Sequence, residues 1–434
     1  MNLSIFIKME RRSASSAASI DWITIVLFGT LMLAGWLNIY AAVYSPDTQK
    51  DIWDLDIRSG KQILWLAIAV FLMLIMLLLD VKIFQVFAYP VYIFTLILLV
   101  LVIFLGRDIA GSHSWFDLGF IRFQPAELAK YVTALALARF LSDPTRNKLM
   151  KLENLLPALA IIFTPALIII AQNETGSALV FAAFIVVLYR EGLSDYIMFL
   201  GVLIISLFLS TLFFKPYINY IMIVIALIGV ATIFFRRKKR DDIIVIILTV
   251  SFALFIVKGV DFFVSKVLKP HQRQRIEVLI NPDADAQGAG WQVTQSKIAI
   301  GSGGLWGKGF LEGTQTKFDF VPDQSTDFIF CTIGEEHGWV GSLTVISLFI
   351  ALLFRLISLA ERQKTKFSRI YGYSVVAILF FHFTINIGMT IGIFPIIGIP
   401  LPFFSYGGSA LWSFTILLFT MVKLDTYRKQ VIMY

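Results

Sequence analysis

Runs of apolar residues, most of them close to twenty residues long, recur along the chain and constrain its fold more than any other feature. A segment of that length can cross the hydrocarbon core of a bilayer as an α-helix, because a helix satisfies its backbone hydrogen bonds internally. The runs predict an all-α polytopic membrane protein with about twelve transmembrane helices, at residues 22–44, 62–80, 84–105, 124–141, 155–171, 177–189, 196–214, 217–235, 242–267, 327–354, 371–393 and 408–422.

The composition agrees with a membrane location and excludes chemistry that depends on thiols. Of the 434 residues, 58% are hydrophobic and 15% are charged, so most of the surface must be apolar. The single cysteine, Cys331, rules out an intramolecular disulfide, and its apolar neighbours in "DFIFCTI" favour a buried, unreactive thiol. Redox and metal-thiolate chemistry are therefore not expected.

The positions of Lys and Arg predict the orientation of the chain in the membrane. The N-terminal "MNLSIFIKMERRSASSAAS" is too polar for the core of a secretory signal, so we expect no cleaved leader and a cytosolic N-terminus. From that start, "KMERR", "SDPTRNKLMK", "RRKKR", "RLISLAERQKTKFSR" and the C-terminal "KLDTYRKQ" fall in alternate, cytosolic connections. The formal net charge of +8 is thus topological and does not indicate nucleic-acid binding.

The predicted external connections hold the Gly, Pro, Trp and acidic residues that the rest of the chain lacks. They are "GRDIAGSHSWFDLGFIRF", "QNETG", a long loop at residues 269–326 and "FPIIGIPLPFFSYGG". No repeat and no long polar linker divides the chain, which predicts one membrane domain over residues 1–434 with its specialised chemistry outside.

The long loop carries two aspartates and a glycine-rich segment. A loop of this length is usually functional or disordered, and the Ile, Val, Phe and Trp within it favour a folded cap. Asp283 and Asp285 in "DADAQG" could be a base, cation ligands or solvated turn residues. The run "GSGGLWGKG" near Lys297 and Lys308 suits a phosphate or pyrophosphate, or it forms tight turns in the cap.

Ionisable side chains also lie at the ends of predicted spans. Glu127 and Lys130 in "FQPAELAK" are three residues apart on one helix face and form either a structural ion pair or part of a site. Further acids occur at Glu174 and in "GEEHGW", and neither His113 nor His337 has the spacing of a zinc ligand. Several acids therefore gather on the predicted outer side.

Four long strings resemble the SEDS family (shape, elongation, division and sporulation). They are "RFQPAELAK", the loop from "QRQRIEVLINPDADAQGAGWQ" to "VPDQSTDFIF", "EEHG" and "NIGMTIGIFPIIGIPLPFFSYGGSA". The "GTQ" that follows the glycine-rich run resembles the RodA branch, which acts in elongation and rod shape, more than the FtsW branch. The resemblance covers most of the chain.

The resemblance implies a peptidoglycan glycosyltransferase that polymerises lipid II on the outer face of the cytoplasmic (inner) membrane, an inverting transferase. The family motif of Asp, Pro, any residue, Gly, any residue, Gly and an aromatic falls on residues 285–291, so the catalytic role falls on Asp285 and not on Asp283; Ala286 replaces the motif proline. Candidate substrate-binding residues are Glu127, Lys130, Glu174, Arg273, Arg275, Lys297, Gly303, Gly304 and Lys308. Other matches also depart from the family: Ala126 stands where its motif has Ser, Asn173 where it has Pro, and Glu174 where it has Asp.

The resemblance also implies partners and an unusual topology. Family members usually have ten spans, so residues 196–240 are expected to form an extra helical hairpin, and residues 269–326 form the external catalytic loop. The expected partners are lipid II, a class B penicillin-binding protein transpeptidase and other membrane proteins of the elongation complex. A divalent cation, Mg²⁺ or Mn²⁺, held by Asp285 or Glu174, is a candidate aid to the leaving group, and no organic cofactor is expected. A lipid flippase and a docking scaffold remain alternative functions.

Overall fold

The fold is described from a computed structural model of the chain. The structure describes residues 20–44, 51–109, 112–117, 119, 122–146, 149–213, 217–235, 240–262, 266, 273–275, 277–278, 285, 288–318 and 320–428. The chain forms two compact units, residues 1–192 with 294–434 and residues 193–293. In the described parts the helices are α1 Trp22–Val43, α2 Arg58–Leu78, α3 Val81–Val86, α4 Ala88–Leu105, α5 Pro125–Leu141, α6 Leu152–Ala171, α7 Thr175–Leu179, α8 Phe184–Arg190, α9 Asp195–Phe213, α10 Ile218–Phe235, α11 Arg240–Phe262, α12 Ala289–Ser302, α13 Thr314–Lys317, α14 Ile329–Glu361, α15 Lys366–Thr390 and α16 Gly408–Arg428.

Each predicted apolar run contains a helix, so the all-α fold class is confirmed. Six of the described helices, α1, α2, α4, α6, α14 and α15, are long and apolar enough to cross a membrane. The remaining runs form α5, α16 and shorter or interrupted apolar helices, and the number of twelve spans stays a prediction.

Local sequence explains where the helices of the first unit begin and bend. Asp21 caps α1 by accepting a hydrogen bond from the backbone N–H of Thr24, at 3.1 Å. Pro125 occupies the first turn of α5, where its missing N–H costs nothing. In α14 the backbone leaves helical geometry at Gly338, where φ is 62°, so this long helix is kinked.

Helix α5 lies at the centre of the first unit. All of its residues are buried except Leu128 and Arg139, and α4, α6, α15 and α16 pack around it. By contrast, α2 and α4 expose large apolar side chains such as Phe71, Leu78 and Phe104, the surface expected of helices that face lipid.

At one end of the first unit, α1, α4, α6 and α15 end and α2, α5, α14 and α16 begin; we call it the loop end. Side chains join the connections there: Asn38 donates to Ile329 O at 3.1 Å, and Gln324 donates to Ala42 O at 2.7 Å. A small antiparallel sheet adds to this end, with strands β1 Arg107–Ile109, β2 Ser112–Asp117 and β3 Arg122–Phe123 in that order. These strands were not among the elements predicted from the sequence.

The second unit contains α9, α10 and α11, and α11 packs against both of the others. Helices α9 and α10 occupy most of the predicted hairpin at residues 196–240. The chain passes into the first unit within α12, which belongs to the predicted external loop. Of that loop, the structure describes α12, α13 and the turns around them as folded segments.

Candidate active site

A buried ion pair lies near the start of α5. Lys130 Nζ is 2.7 Å from Glu127 Oε1, and each side chain has only 2% of its surface exposed. The spacing of three residues brings both groups to one face of the helix, as the sequence predicted. A charge so deeply buried needs a partner of opposite charge, and Glu127 and Lys130 serve as partners for each other.

The same ammonium group contacts a histidine that the sequence analysis overlooked. Lys130 Nζ lies 3.0 Å from Nε2 of His382, a fully buried residue of α15. The other ring nitrogen, Nδ1, is 3.1 Å from Pro400 O, which can only accept a hydrogen bond. Nδ1 therefore carries the proton, and Nε2 accepts from Lys130. A histidine within an apolar span was the signal for this contact.

Glu174 extends this cluster along the loop end. It precedes α7, and its Oε1 accepts a hydrogen bond from Gln124, which precedes α5. Burial, together with the nearby charge of Glu127, raises the pKa of the Glu174 carboxyl to about 7. The second oxygens of Glu127 and Glu174 are buried and make no hydrogen bond to any residue that the structure describes. The structure thus brings together three of the predicted residues, Glu127, Lys130 and Glu174.

Asp285 lies in the second unit, in a turn just before α12, and is partly buried. The N–H of Gly288 donates to Asp285 O at 3.3 Å, which closes the turn. A Cβ atom at position 288 would lie 2.4 Å from Asp285 Oδ2, closer than real Cβ contacts come. The glycine three residues after the aspartate therefore leaves room for the carboxylate. Asp283 lies outside the described residues.

The glycine-rich segment packs on the kink of α14. Lys308 N donates to Glu335 O at 3.0 Å, and a Cβ atom at Gly303 would lie 2.0 Å from Gly334 O. Gly304 has φ of 58°, a left-handed conformation that favours glycine. These positions fit the tight turns of a cap, the second of the two interpretations left open by the sequence.

Lys308 is already paired within the protein. Its Nζ lies 2.6 Å from Oε1 of Glu335, a carboxylate with no exposed surface. The backbone N–H groups of Gln315 and Thr316 donate to the same carboxylate at 2.8 and 2.9 Å. Glu335 therefore links the glycine-rich segment to α13, and its carboxylate neutralises much of the charge of Lys308.

The other predicted basic residues are more accessible. Arg273 forms an ion pair with Glu277 at 2.8 Å, with both side chains about two-fifths exposed (42% and 40%). Arg275 and Lys297 are exposed. Next to Lys297 on α12, Ser296 Oγ donates to Thr390 O at 2.9 Å, which anchors this helix to the end of α15.

A cavity of about 470 Å³ opens at the loop end beside Arg58, which the sequence analysis also overlooked. Its lining combines the ends of α1 and α2 with residues 321–325. Arg58 Nη1 donates to Ser325 Oγ at 2.5 Å, and its guanidinium lies 5.8 Å from the centre of the Tyr406 ring. The positive-inside rule disfavours an arginine at the outer end of a span. The predicted outer position of Arg58 was therefore the sequence feature that could have marked it as a functional residue.

The described residues near Glu174 offer oxygen donors for a divalent cation but do not form a complete coordination shell. No group of three or more His, Cys, Asp or Glu that could hold a metal occurs among the described residues. The unbonded, buried oxygen of Glu174 is nevertheless a suitable donor. Mg²⁺ is commonly held by one or two carboxylates together with substrate phosphates, so the donor set fits an ion that arrives with a pyrophosphate.

Comparison with known proteins identifies the family. The model of a family described as a cell cycle protein, that of FtsW, RodA and SpoVE, matches residues 21–224 and 194–430. The peptidoglycan glycosyltransferase MrdB of Escherichia coli K12 is 32% identical over 400 residues, which cover 92% of this chain and 93% of MrdB. The peptidoglycan glycosyltransferase RodA of Treponema pallidum is also 32% identical, and the match covers 86% of this chain and 90% of RodA.

Solved structures share the fold. A chain from a study of how a peptidoglycan synthase complex coordinates polymerization and crosslinking matches with a TM-score of 0.69 and 25% identity, over 95% of this chain and 99% of that chain. The rod shape determining protein RodA of Thermus thermophilus matches with a TM-score of 0.60 and 24% identity, over 94% of this chain and 97% of that chain. Together with the sequence relatives, these matches place the chain in the SEDS family, the family of FtsW, RodA and SpoVE, on its RodA-like side.

Proposed function

We propose that the chain is a peptidoglycan glycosyltransferase that polymerises lipid II during cell elongation. The observation that carries this proposal is the 32% identity to MrdB over 92% of this chain, since MrdB is named a peptidoglycan glycosyltransferase. The enzyme is a multi-pass membrane protein. Its reaction takes place on the outer face of the cytoplasmic membrane, and both of its termini are cytosolic.

Asp285 acts as the general base of the reaction. The 4-hydroxyl of one lipid-linked disaccharide attacks the anomeric carbon of another, and the carboxylate takes the hydroxyl proton as the new bond forms. The bond between that carbon and the pyrophosphate breaks, and undecaprenyl pyrophosphate leaves with the bonding electrons. The single displacement inverts the donor from α to β-1,4. The space that Gly288 leaves for the carboxylate supports this role.

The leaving pyrophosphate requires positive charge or N–H donors and needs no proton. Arg275 and Lys297 are exposed and suited to a soluble headgroup, whereas Lys308 is engaged by Glu335 at 2.6 Å. Glu174 would help to hold a divalent cation, which supplies charge neutralisation when it arrives with the substrate. Arg58 joins the candidates because it lines the cavity of about 470 Å³ at the loop end.

The enzyme works with a class B penicillin-binding protein that cross-links the strands it makes, and with other proteins of the elongation complex. The likeness to a chain of a peptidoglycan synthase complex, with a TM-score of 0.69, supports such an assembly. A flippase is the second candidate function, and the buried pair of Glu127 and Lys130 inside α5 favours it, because transport paths are often lined by such charges.

Purified protein in vesicles that contain fluorescent lipid II separates these functions. With the penicillin-binding protein present, we expect a ladder of glycan polymers, and no ladder when the acceptor 4-hydroxyl of the lipid II is blocked. Movement of the label between leaflets without any polymer would contradict the proposal and support the flippase. Neither polymer nor movement, with correctly folded protein, would leave a docking scaffold.

A further inference from the structure

Lys130 is held on two sides, by Glu127 and by His382. Its Nζ lies 2.7 Å from Glu127 Oε1, 3.0 Å from His382 Nε2 and 5.2 Å from the centre of the Phe414 ring. An ammonium group has three N–H donors, and in this cluster two of them are directed at fixed acceptors. The remaining donor therefore keeps a constant direction as long as both acceptors stay in place.

His382 is fixed in turn by the backbone of the segment between α15 and α16. Its Nδ1 donates to Pro400 O at 3.1 Å, so Nε2 is the acceptor. The Phe414 ring packs edge-on against the imidazole, with the ring centres 4.8 Å apart. The ring orientation is therefore set by a backbone carbonyl and by packing, and it is already set when Lys130 binds to it.

The segment between α15 and α16 has anchors besides the hydrogen bond from His382 to Pro400. Lys130, by contrast, needs His382 to fix the direction of its ammonium group. Asn386, one turn further along α15, donates to the neighbouring carbonyl of Ile399 at 2.7 Å and to Asp327 O at 2.8 Å. Losing the imidazole leaves these bonds intact. Lys130, with 2% of its side chain exposed, would keep one charged partner and lose the acceptor that fixes its direction.

We propose that His382 is a positioning residue of the polymerase: it holds the Lys130 ammonium in a fixed direction, in which that group stabilises the negative charge that develops on the leaving pyrophosphate of the lipid-linked substrate. The inference rests on the proposed function. His382 makes no contact with the reacting atoms in this account and acts only through Lys130.

Two amide replacements separate the two ends of the imidazole. In His382→Gln the amide can occupy the place of Nε2 and accept from Lys130, but nothing donates to Pro400. In His382→Asn the shorter amide can donate to Pro400, but it does not reach Lys130. We expect His382→Gln to keep kcat within about threefold of the parent, and His382→Asn and His382→Leu to lose kcat on the order of tenfold with little change in KM.

Ser374→Ala is the matched control on α15, because Ser374 is buried and its hydroxyl donates to Ile370 O, at 2.9 Å, within its own helix. Its activity should equal that of the parent. The reverse order of the two amides, with Asn active and Gln inactive, would show that His382 serves only to anchor Pro400 and would overturn the proposal.

A stability measurement tests the contact without relying on activity. His382→Leu is made in the parent and in Glu127→Gln/Lys130→Met, which removes both charges while nearly keeping their size. We expect His382→Leu to lower the melting temperature at most half as much in the Glu127→Gln/Lys130→Met background as in the parent, because the stability effects of substitutions at contacting residues are not additive. Equal losses in both would overturn the proposal. If the parent makes no polymer but the losses differ, the proposed function fails and the contact stands.

Discussion

Replacing Gly288 by Ala tests whether the position of the Asp285 carboxylate governs the reaction. The added Cβ atom would lie 2.4 Å from Asp285 Oδ2 and 2.8 Å from Oδ1, whereas ordinary contacts begin at 3.4 Å. The carboxylate must therefore retreat by about 1 Å. Since it is the far end of a flexible side chain, we expect the cost in folding stability to stay below about 1 kcal/mol.

The effect on catalysis should be far larger than the effect on stability. A displacement of about 1 Å in a catalytic group can cost on the order of a hundredfold in rate. We therefore expect Gly288→Ala to retain its melting temperature in detergent while losing polymerisation by roughly that factor, measured as the initial rate of glycan formation from fluorescent lipid II.

Gly301, which lies in α12, provides the matched control. A Cβ atom there meets nothing within 4 Å, and replacing a helical glycine by Ala usually stabilises a helix by up to about 1 kcal/mol. Gly301→Ala should keep full activity and melt at the same temperature or higher. Gly288→Ala with a rate within twofold of the parent would refute the reasoning.

Two further predictions concern charged groups in the first unit. Because the pKa of Glu174 is raised to about 7, the folded state holds its proton more tightly than the unfolded state does, so stability is lost as the pH rises from about 5 to 8. Glu174→Gln should remove this pH-dependent loss of stability, measured as the melting temperature at each pH. A difference in melting temperature between parent and variant that stays the same at every pH would contradict the prediction. At the end opposite the loop end, Asp425 accepts from Arg362 Nε at 2.8 Å and from Gln363 Nε2 at 2.9 Å, and 2% of its side chain is exposed. Asp425→Asn should lower stability by about 2 kcal/mol, measured by thermal unfolding, whereas Asp143→Asn, in a pair with 42% of the carboxylate side chain exposed, should leave it unchanged.

The sequence was sufficient to predict features that depend on neighbours along the chain. The apolar runs marked the helices because a helix that faces lipid must be apolar over its length. Pro125 marked the start of α5, and the spacing of Glu127 and Lys130 predicted their contact, now found at 2.7 Å. Each of these follows from helix geometry alone.

Contacts between distant segments could not be predicted in the same way. His382 follows Lys130 by 252 residues, and no periodicity indicates that α5 and α15 pack with these two side chains together. The pairing of Lys308 with Glu335 likewise joins two distant segments, the glycine-rich segment and the kinked helix α14. Because this partner could not be read from the sequence, a lysine beside glycines suggested a phosphate site. The short strands at residues 107–123 lack a clear alternation of apolar and polar residues, which is the usual signal for a strand.

The choice between the two loop aspartates came from a family motif, and the structure adds a physical reason for part of that motif. Gly288 is needed beside Asp285 because any larger residue would meet the carboxylate. The glycosyltransferase function therefore depends, in this account, on one carboxylate held before α12.

The most direct test compares Asp285→Ala with Asp283→Ala in the lipid II polymerisation assay, with both proteins purified from membranes in equal yield and with the penicillin-binding protein present. If Asp285 is the catalytic base, Asp285→Ala forms no glycan strands, while Asp283→Ala forms strands at a rate close to that of the parent. Strands of normal length from Asp285→Ala would contradict the assignment of this residue as the catalytic base.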